Sequence, residues 1–292
     1  MDAGEKPHGK GKYMLVNTRE MLLQAQKGKY AVGAFNIENM EMAMAVISAA
    51  EALHSPVILQ TTPGTLRYAP PEVFAGMVIP LAEKAAVPVA LHLDHGNSIE
   101  LVQRCIQAGY TSVMIDGSQL PFEENIVLTR RAVALAGTIP VEAELGTVGG
   151  KEDGMTGTQT NYTDPQQALQ FMQETGASSL AVGIGTAHGI YKGKPCLQIP
   201  LVGEIAGLVA EPLVLHGTSG VAHEDVQACI AQGICKVNYA TDLRQAYTGG
   251  VKKLLESKPD AFDPKVYGKC AMECIAELVS DRILMLGSKD KA

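Results

Sequence analysis

The feature that most constrains this chain is an alternation repeated eight times. Short apolar runs at 30–36, 56–61, 87–93, 111–116, 139–144, 180–184, 212–216 and 234–238 are separated by longer stretches with helical spacing. The runs are rich in Val, Ile and Ala, as strands buried on both faces are. Pro56, Pro88, Pro140 and Pro212 stand at or near their starts, where a missing N–H costs least. Helices are predicted over 40–53, 71–86, 99–108, 123–136 and 165–175. In the third, Ile99, Val102 and Ile106 fall on one face. Asp164 followed by Pro165 is a strong helix start, and Gly109, Gly137, Gly176 and Gly233 are natural stops.

Eight strand–helix units in series predict parallel pairing with right-handed crossovers. Such a set closes as an α/β (β/α)8 TIM barrel, a fold of about 250 residues. An extra C-terminal helix is expected beyond it. An open doubly wound sheet is the alternative, but it would carry a Gly-rich loop after its first strand, and NIEN at 36–39 is no such loop. Residues 1–13 are polar and Gly/Lys-rich and read as a disordered leader or tag, leaving 14–292 as a single domain.

Composition excludes several function classes. The 292 residues are 46% hydrophobic and 19% charged, which rules out a disordered chain. No apolar run approaches the roughly 18 residues of a membrane-spanning helix. A net charge of -7 argues against a nucleic-acid surface, though not against a local phosphate pocket. The 6 cysteines form no CxxC pair and read as buried free thiols of a cytoplasmic protein.

The polar residues gather at the C-terminal ends of the predicted strands. In order they are Asn36; Thr61 and Thr62; His92, Asp94 and His95; Asp116; Glu142 and Glu144; His188; His216; and Asn238 with Thr241 and Asp242. In a barrel these ends converge on one mouth, where the chemistry of this fold sits. Of 7 histidines, His95, His188 and His216 lie just past three strands. Three neutral imidazoles there can hold Zn²⁺ with a position open for substrate. His54 and His223 lie at helix ends and read as surface residues. His92 and Asp94 alternate with Leu93 and so share a side of their strand. If that side is the interior, Asp94 is placed for proton transfer, and His92 for support by hydrogen bonding. Gly189, and Gly217 to Gly220, allow close backbone approach, and Thr241 and Asp242 open a helix whose free N–H groups suit an anion. The Gly-rich stretch 149–157 reads as a mobile lid that could swing Glu152 or Asp153 over substrate.

At these residues the sequence resembles the class II, zinc-dependent ketose-bisphosphate aldolases, in their tagatose- and fructose-bisphosphate branch. The matching motifs are AFNIEN at 34–39, HLDH at 92–95, VEAELG at 141–146, GGKED at 149–153, GTAHG at 185–189, LHGTSG at 215–220 and KVNYATD at 236–242. The resemblance implies one catalytic Zn²⁺ per subunit on His95, His188 and His216, with Glu144 near an alternative metal position. It implies that Asp94 handles the C4-hydroxyl proton and Glu152 the C3 proton. It further implies a dihydroxyacetone phosphate cradle at Gly189, Gly217, Ser219, Asn238, Thr241 and Asp242, and a pocket wall at Asn36 and Thr62. A monovalent cation (Na⁺ or K⁺), a homodimer or homotetramer and an accessory subunit are also consistent with it. Where the family carries Arg after Asp-Pro, to bind the distal phosphate, this chain has Lys265. Lysine keeps the charge but loses the bidentate fork. The expected reaction is aldol cleavage of a ketose phosphate to dihydroxyacetone phosphate and an aldehyde. An aldolase for a ketose without a strongly held distal phosphate, a metal-dependent barrel hydrolase and a non-catalytic partner subunit stand as alternatives.

Overall fold

The computed structural model describes residues 14–152, 155–157, 161–191, 193 and 195–292, with 151, 152 and 155–157 described by their backbone alone. The leader 1–13 and Asp153 lie outside the described residues. The chain runs α1 (Thr18–Gly28), β1 (Val32–Asn36), α2 (Met40–Ala52), β2 (Val57–Thr61), α3 (Pro63–Tyr68), α4 (Pro71–Lys84), β3 (Val89–Gly96), α5 (Ile99–Ala108) and β4 (Ser112–Ile115). It continues through α6 (Phe122–Ala136), β5 (Val141–Leu145), β6 (Gly149–Glu152), β7 (Met155–Gly157), α7 (Pro165–Thr175), β8 (Ser179–Val182) and β9 (Ala187–His188). The last elements are α8 (Ile199–Ala206), β10 (Leu213–Leu215), α9 (His223–Gln232), β11 (Ile234–Tyr239), α10 (Thr241–Ser257) and α11 (Pro264–Leu286).

Eight of these strands close in the order β1-β11-β10-β8-β5-β4-β3-β2. All eight pairings are parallel, and β1 is bonded to both β2 and β11, so no open sheet edge remains. The fold is the expected (β/α)8 barrel, and the open-sheet alternative is excluded. The predicted helices form with the caps their sequences supply. Asn39, Ser98 and Asp164 accept hydrogen bonds from the first turns of α2, α5 and α7, and Gly109 and Gly176 end α5 and α7 in left-handed geometry.

Pleating sorts the side chains. Outward residues such as Phe35, Leu59, Leu91, Val113, Leu180 and Val237 join the helices in the main core. Inward residues change character with height. A floor of Val32, Ala34, Ile58 and Ala90 is sealed from below by Met21, Leu22 and Ala25 of α1. Met114, Ala181 and Val214 form an adjoining cluster of their own. Above them the interior is polar: Gln60, His92, Glu142 and Lys236, then Asn36, Asp94, Glu144, His216 and Asn238, all buried.

Three short strands lie outside the barrel. β6 pairs with β7 in antiparallel fashion and with β9 in parallel fashion, making a small sheet after the C-terminal ends of β5 and β8. The thiols divide more evenly than expected. Cys105, Cys229 and Cys235 are buried, Cys270 and Cys274 are half-buried, and Cys196 is exposed. Among the described residues no helix is long and apolar enough to cross a membrane.

Helix α11, the expected extra C-terminal element, packs on α2 and α10 through a buried stripe of Ile275, Val279, Ile283 and Leu286. Ile283→Ala should therefore cost about 2–5 kcal/mol of unfolding free energy. Urea unfolding would read this as a lower midpoint at an unchanged slope.

Candidate active site

The site begins with a break in pleating. Asp94 and His95 are neighbours on β3, so regular alternation would send them to opposite faces. His95 instead has φ +49°, and the pairing of β3 with β4 shifts register between Leu93 and Gly96. Both side chains thereby enter the mouth. Gly96 makes the shift possible, since a Cβ there would lie 2.3 Å from the Met114 carbonyl oxygen. His188 comes from β9 and His216 from the residue after β10. The rings of His95 and His188 are 4.9 Å apart, and those of His95 and His216 4.7 Å. One ring nitrogen from each of the three lies within 4.8 Å of the others.

The carboxylates behind these rings fix their protons. His95 Nδ1 lies 2.8 Å from Asp116 Oδ2. Burial opposes the charge on Asp116, but His95 outweighs it and holds that carboxyl well below the usual range. Asp116 therefore accepts, His95 Nδ1 donates, and Nε2 presents its lone pair. His216 Nε2 lies 2.8 Å from Glu142 Oε1, and Glu142 Oε2 accepts from the buried Lys236 ammonium at 2.8 Å. His216 Nδ1 is thus left bare as well. The two bare nitrogens face each other at 2.9 Å. Facing lone pairs repel unless a cation lies between or beside them.

Glu144 adds to this. Its Oε2 is buried without a hydrogen-bond partner, 3.5 Å from His216 Nδ1 and 3.9 Å from His95 Nδ1. Burial pushes the Glu144 carboxyl well above its ordinary range, and it pushes His188 and His216 well below theirs, keeping both rings neutral. Neutral imidazoles with an orphaned carboxylate oxygen beside them make a donor set suited to a divalent metal. Burial alone would lower His95, but Asp94, Asp116 and Glu144 hold it well above its usual value, so the same carboxylates that favour a proton there favour a metal cation.

Asp94 is held from two sides. Its Oδ2 accepts from Asn36 Nδ2 at 2.8 Å and its Oδ1 from Asn238 Nδ2 at 3.1 Å, while Gln60 Nε2 donates to Asn36 Oδ1 at 2.8 Å. Burial would raise the Asp94 carboxyl, but the neighbouring His95 ring, the Lys236 ammonium and the Asn36 hydrogen bond bring it below its usual value. It is a fixed carboxylate 4.0 Å from His95 Nε2.

Asn36, Asp94 and His188 share a cleft with Gly189, Gly217, Ser219, Asn238 and Thr241. A second cavity of about 420 Å³ shares Gly189, Ser219 and Thr241 with this cleft and also reaches Asp242 and Gln245. Gly217 has φ +66°, and a Cβ there would lie 2.8 Å from the Ala187 backbone. Helix α10 starts here, and its N-cap residue Ala240 offers no side-chain cap to the first-turn N–H groups. The Asp242 N–H donates to Ser219 Oγ at 3.3 Å, which turns the Ser219 hydroxyl proton outward as a donor. Asn238 Oδ1 is buried without a partner.

Not every residue predicted from sequence joins this cluster. Thr62 is buried but caps α3, and its hydroxyl meets Thr65 Oγ1 at 3.1 Å, which in turn donates to Glu38. Lys265 stands on the first turn of α11 with its side chain 87% exposed, paired with Asp263 at 2.8 Å. The Glu152 side chain lies outside the described residues, but its strand is positioned: Gly150 on β6 pairs with His188 on β9. His92 lies inside the barrel, bonded through Nδ1 to Ser112 Oγ at 2.8 Å. Two strand-end carboxylates, Asp116 and Glu142, were given no role from sequence, although Glu142 and Glu144 alternate as His92 and Asp94 do. Lys236, on β11, neutralises Glu142. Arg282 left no signal in the sequence.

Comparison with known proteins agrees with this geometry. Residues 16–291 match the family model of class II fructose-bisphosphate aldolase. The YdjI aldolase of Escherichia coli K12 is 38% identical, with 96% of this chain and 100% of that chain covered and a TM-score of 0.86. The fructose-bisphosphate aldolase of Campylobacter jejuni, 23% identical over 97% of this chain and 98% of that one, has the same fold at a TM-score of 0.80. The chain belongs to the class II fructose-bisphosphate aldolase family. It is accordingly an enzyme, a lyase working on an aldol carbon–carbon bond in sugar phosphates, and the hydrolase and non-catalytic alternatives are set aside.

The Lys236–Glu142–His216 chain generates a test. Glu142→Gln keeps an oxygen for His216 but removes the charge. Affinity for a divalent ion, measured by competition with a chromogenic chelator, should fall about 10–100-fold. An unchanged affinity would mean that Glu142 does not orient His216.

Proposed function

We propose that this enzyme is a zinc-dependent aldolase that cleaves a ketose phosphate into dihydroxyacetone phosphate and an aldehyde. The observation that carries the reading is the pair of bare, facing nitrogens of His95 and His216, with His188 alongside and the fixed Asp94 carboxylate next to them. His95, His188 and His216 would hold one Zn²⁺ per subunit, with Glu144 beside an alternative position. Bound there, the ion supplies electrophilic pull on the ketose carbonyl.

The chain's own groups do the rest. Ser219 Oγ, the backbone at Gly189 and Gly217 and the first turn of α10 at Thr241 and Asp242 bind the proximal phosphate, next to a monovalent cation. Asn36 and Asn238 keep both Asp94 oxygens aimed, and Asp94 takes the C4-hydroxyl proton. The C3–C4 bond breaks, C4 leaves as the aldehyde, and the electron pair stays on the three-carbon fragment. Glu152, on β6 two residues after the Gly150 that pairs with His188, returns a proton to C3. We read residues 14–292 as one catalytic domain of a cytoplasmic homodimer or homotetramer.

Tagatose or fructose 1,6-bisphosphate is the substrate in the first reading, with glyceraldehyde 3-phosphate as the aldehyde. One observation favours a second. Lys265, exposed and tied to Asp263 on its own helix, offers a distal phosphate little. A ketose phosphate without a second phosphate fits that arrangement.

Release of dihydroxyacetone phosphate from a panel of ketose mono- and bisphosphates tests the proposal. Chelation should abolish it and Zn²⁺ restore it; absence of cleavage of every sugar by zinc-loaded protein would overturn it. Asp94→Asn should lower kcat about 10²–10⁴-fold with metal content retained. Turnover at the wild-type rate would remove Asp94 from the mechanism.

A further inference from the structure

The anion cradle contains a charge of the wrong sign. Asp242 is the second residue of α10, in the first turn whose N–H groups face the cleft, and its side chain borders the cavity of about 420 Å³. A carboxylate there repels the phosphate that the same helix end would attract. Arg282 answers it from α11. Its Nη2 lies 3.1 Å from Asp242 Oδ2, with the Arg282 side chain only 16% exposed. Three further contacts fix that guanidinium. Nη1 donates to Asp281 Oδ2 at 2.6 Å and to His223 Nε2 at 2.5 Å, and the group sits 5.4 Å from the centre of the Tyr239 ring. Tyr239 ends β11, and His223 opens α9. The arginine is therefore locked to the walls of the mouth while its free edge meets Asp242.

We infer that Arg282 is a positioning residue for the reaction, which masks the Asp242 charge and holds that carboxylate aside so that the α10 N-terminus can take a phosphate. The inference rests on the anion cradle proposed above. It assigns Arg282 no contact with substrate. The Asp242 N–H is already given to Ser219 Oγ, so Asp242 serves the cradle through its backbone, and its side chain must be kept from undoing that service. A half-buried arginine is the suitable partner, because its planar fork serves Asp242 and Asp281 from different nitrogens.

The test uses the full-length, zinc-loaded enzyme and inorganic phosphate as the probe, with binding followed by phosphorus NMR. Arg282→Met should weaken phosphate about tenfold, through one uncovered charge at short range. Arg282→Lys, which keeps the charge, should recover most of that loss. Asp242→Asn alone should bind phosphate at least as tightly as the wild type. The decisive variant is the double one: Asp242→Asn with Arg282→Met should return to within about threefold of wild type, because nothing is left to mask. In turnover, Arg282→Met should raise KM for a ketose phosphate about tenfold and leave kcat within about twofold. A double variant as weak as Arg282→Met, or Asp242→Asn weaker than wild type, would overturn the inference and leave the cradle standing. Failure of the wild-type enzyme to bind phosphate would overturn the cradle and the inference together. Asp242→Asn keeps Arg282 in place, so it decides the matter even if Arg282→Met does not fold.

Discussion

Two imidazole nitrogens meet at 2.9 Å across the mouth of this barrel, each left bare because the other nitrogen of its ring serves a carboxylate. Much of the polar interior follows from that contact. Asp116 and Glu142 set the two tautomers, Lys236 balances Glu142, and Asn36, Gln60 and Asn238 hold the neighbouring Asp94. Take away the carboxylates and the rings could turn their N–H groups toward each other, and the seat for a cation would be lost. The electrostatic demand of one small region thus dictates the identity of residues on β1, β2, β3, β5 and β11.

Such an interior is costly to build. A buried ion pair such as Lys236–Glu142 contributes little net stability, and removing one partner costs about 3–5 kcal/mol through the orphaned charge. The barrel tolerates this because its polar and apolar contents are separated by height. The floor of Val32, Ala34, Ile58 and Ala90, closed by α1, keeps its burial, and the outer core between sheet and helices is continuous and apolar. Stability comes from those layers, and the upper interior is free to be organised for chemistry.

Much of this was legible in the sequence, for physical reasons that also explain what was not. Strands buried on both faces give dense apolar runs, and caps such as Asp164–Pro165 have one strong local meaning, so the barrel could be read directly. The histidines could be read because strand ends converge. Helix α3 was not: six residues carry too little periodicity. Nor was the sheet of β6, β7 and β9, since strands of two to four residues are held by backbone pairing and are too short to show a side-chain pattern. Arg282 was silent because its meaning comes only from α11 lying against α9 and β11. Lys265 could be found as a departure from a motif, but its exposed position at the start of α11 could not.

The most instructive point is His95. Strand alternation licenses His92 and Asp94 on one side and would send His95 to the other, so the motif HLDH obeys the period-two rule only for its first and third members. The structure brings the fourth in by breaking that rule. A left-handed residue followed by a register shift turns two adjacent side chains the same way, and the absent Cβ of Gly96 removes the clash that would forbid it. For a non-glycine residue this backbone costs about 1–2 kcal/mol. The gain is geometric: a proton acceptor and a metal-type donor sit side by side on one strand, so that no movement of separate elements can pull them apart. A local rule broken at one residue, where the chemistry needs two neighbours to face inward, marks the centre of the site more sharply than any of the residues that obey it.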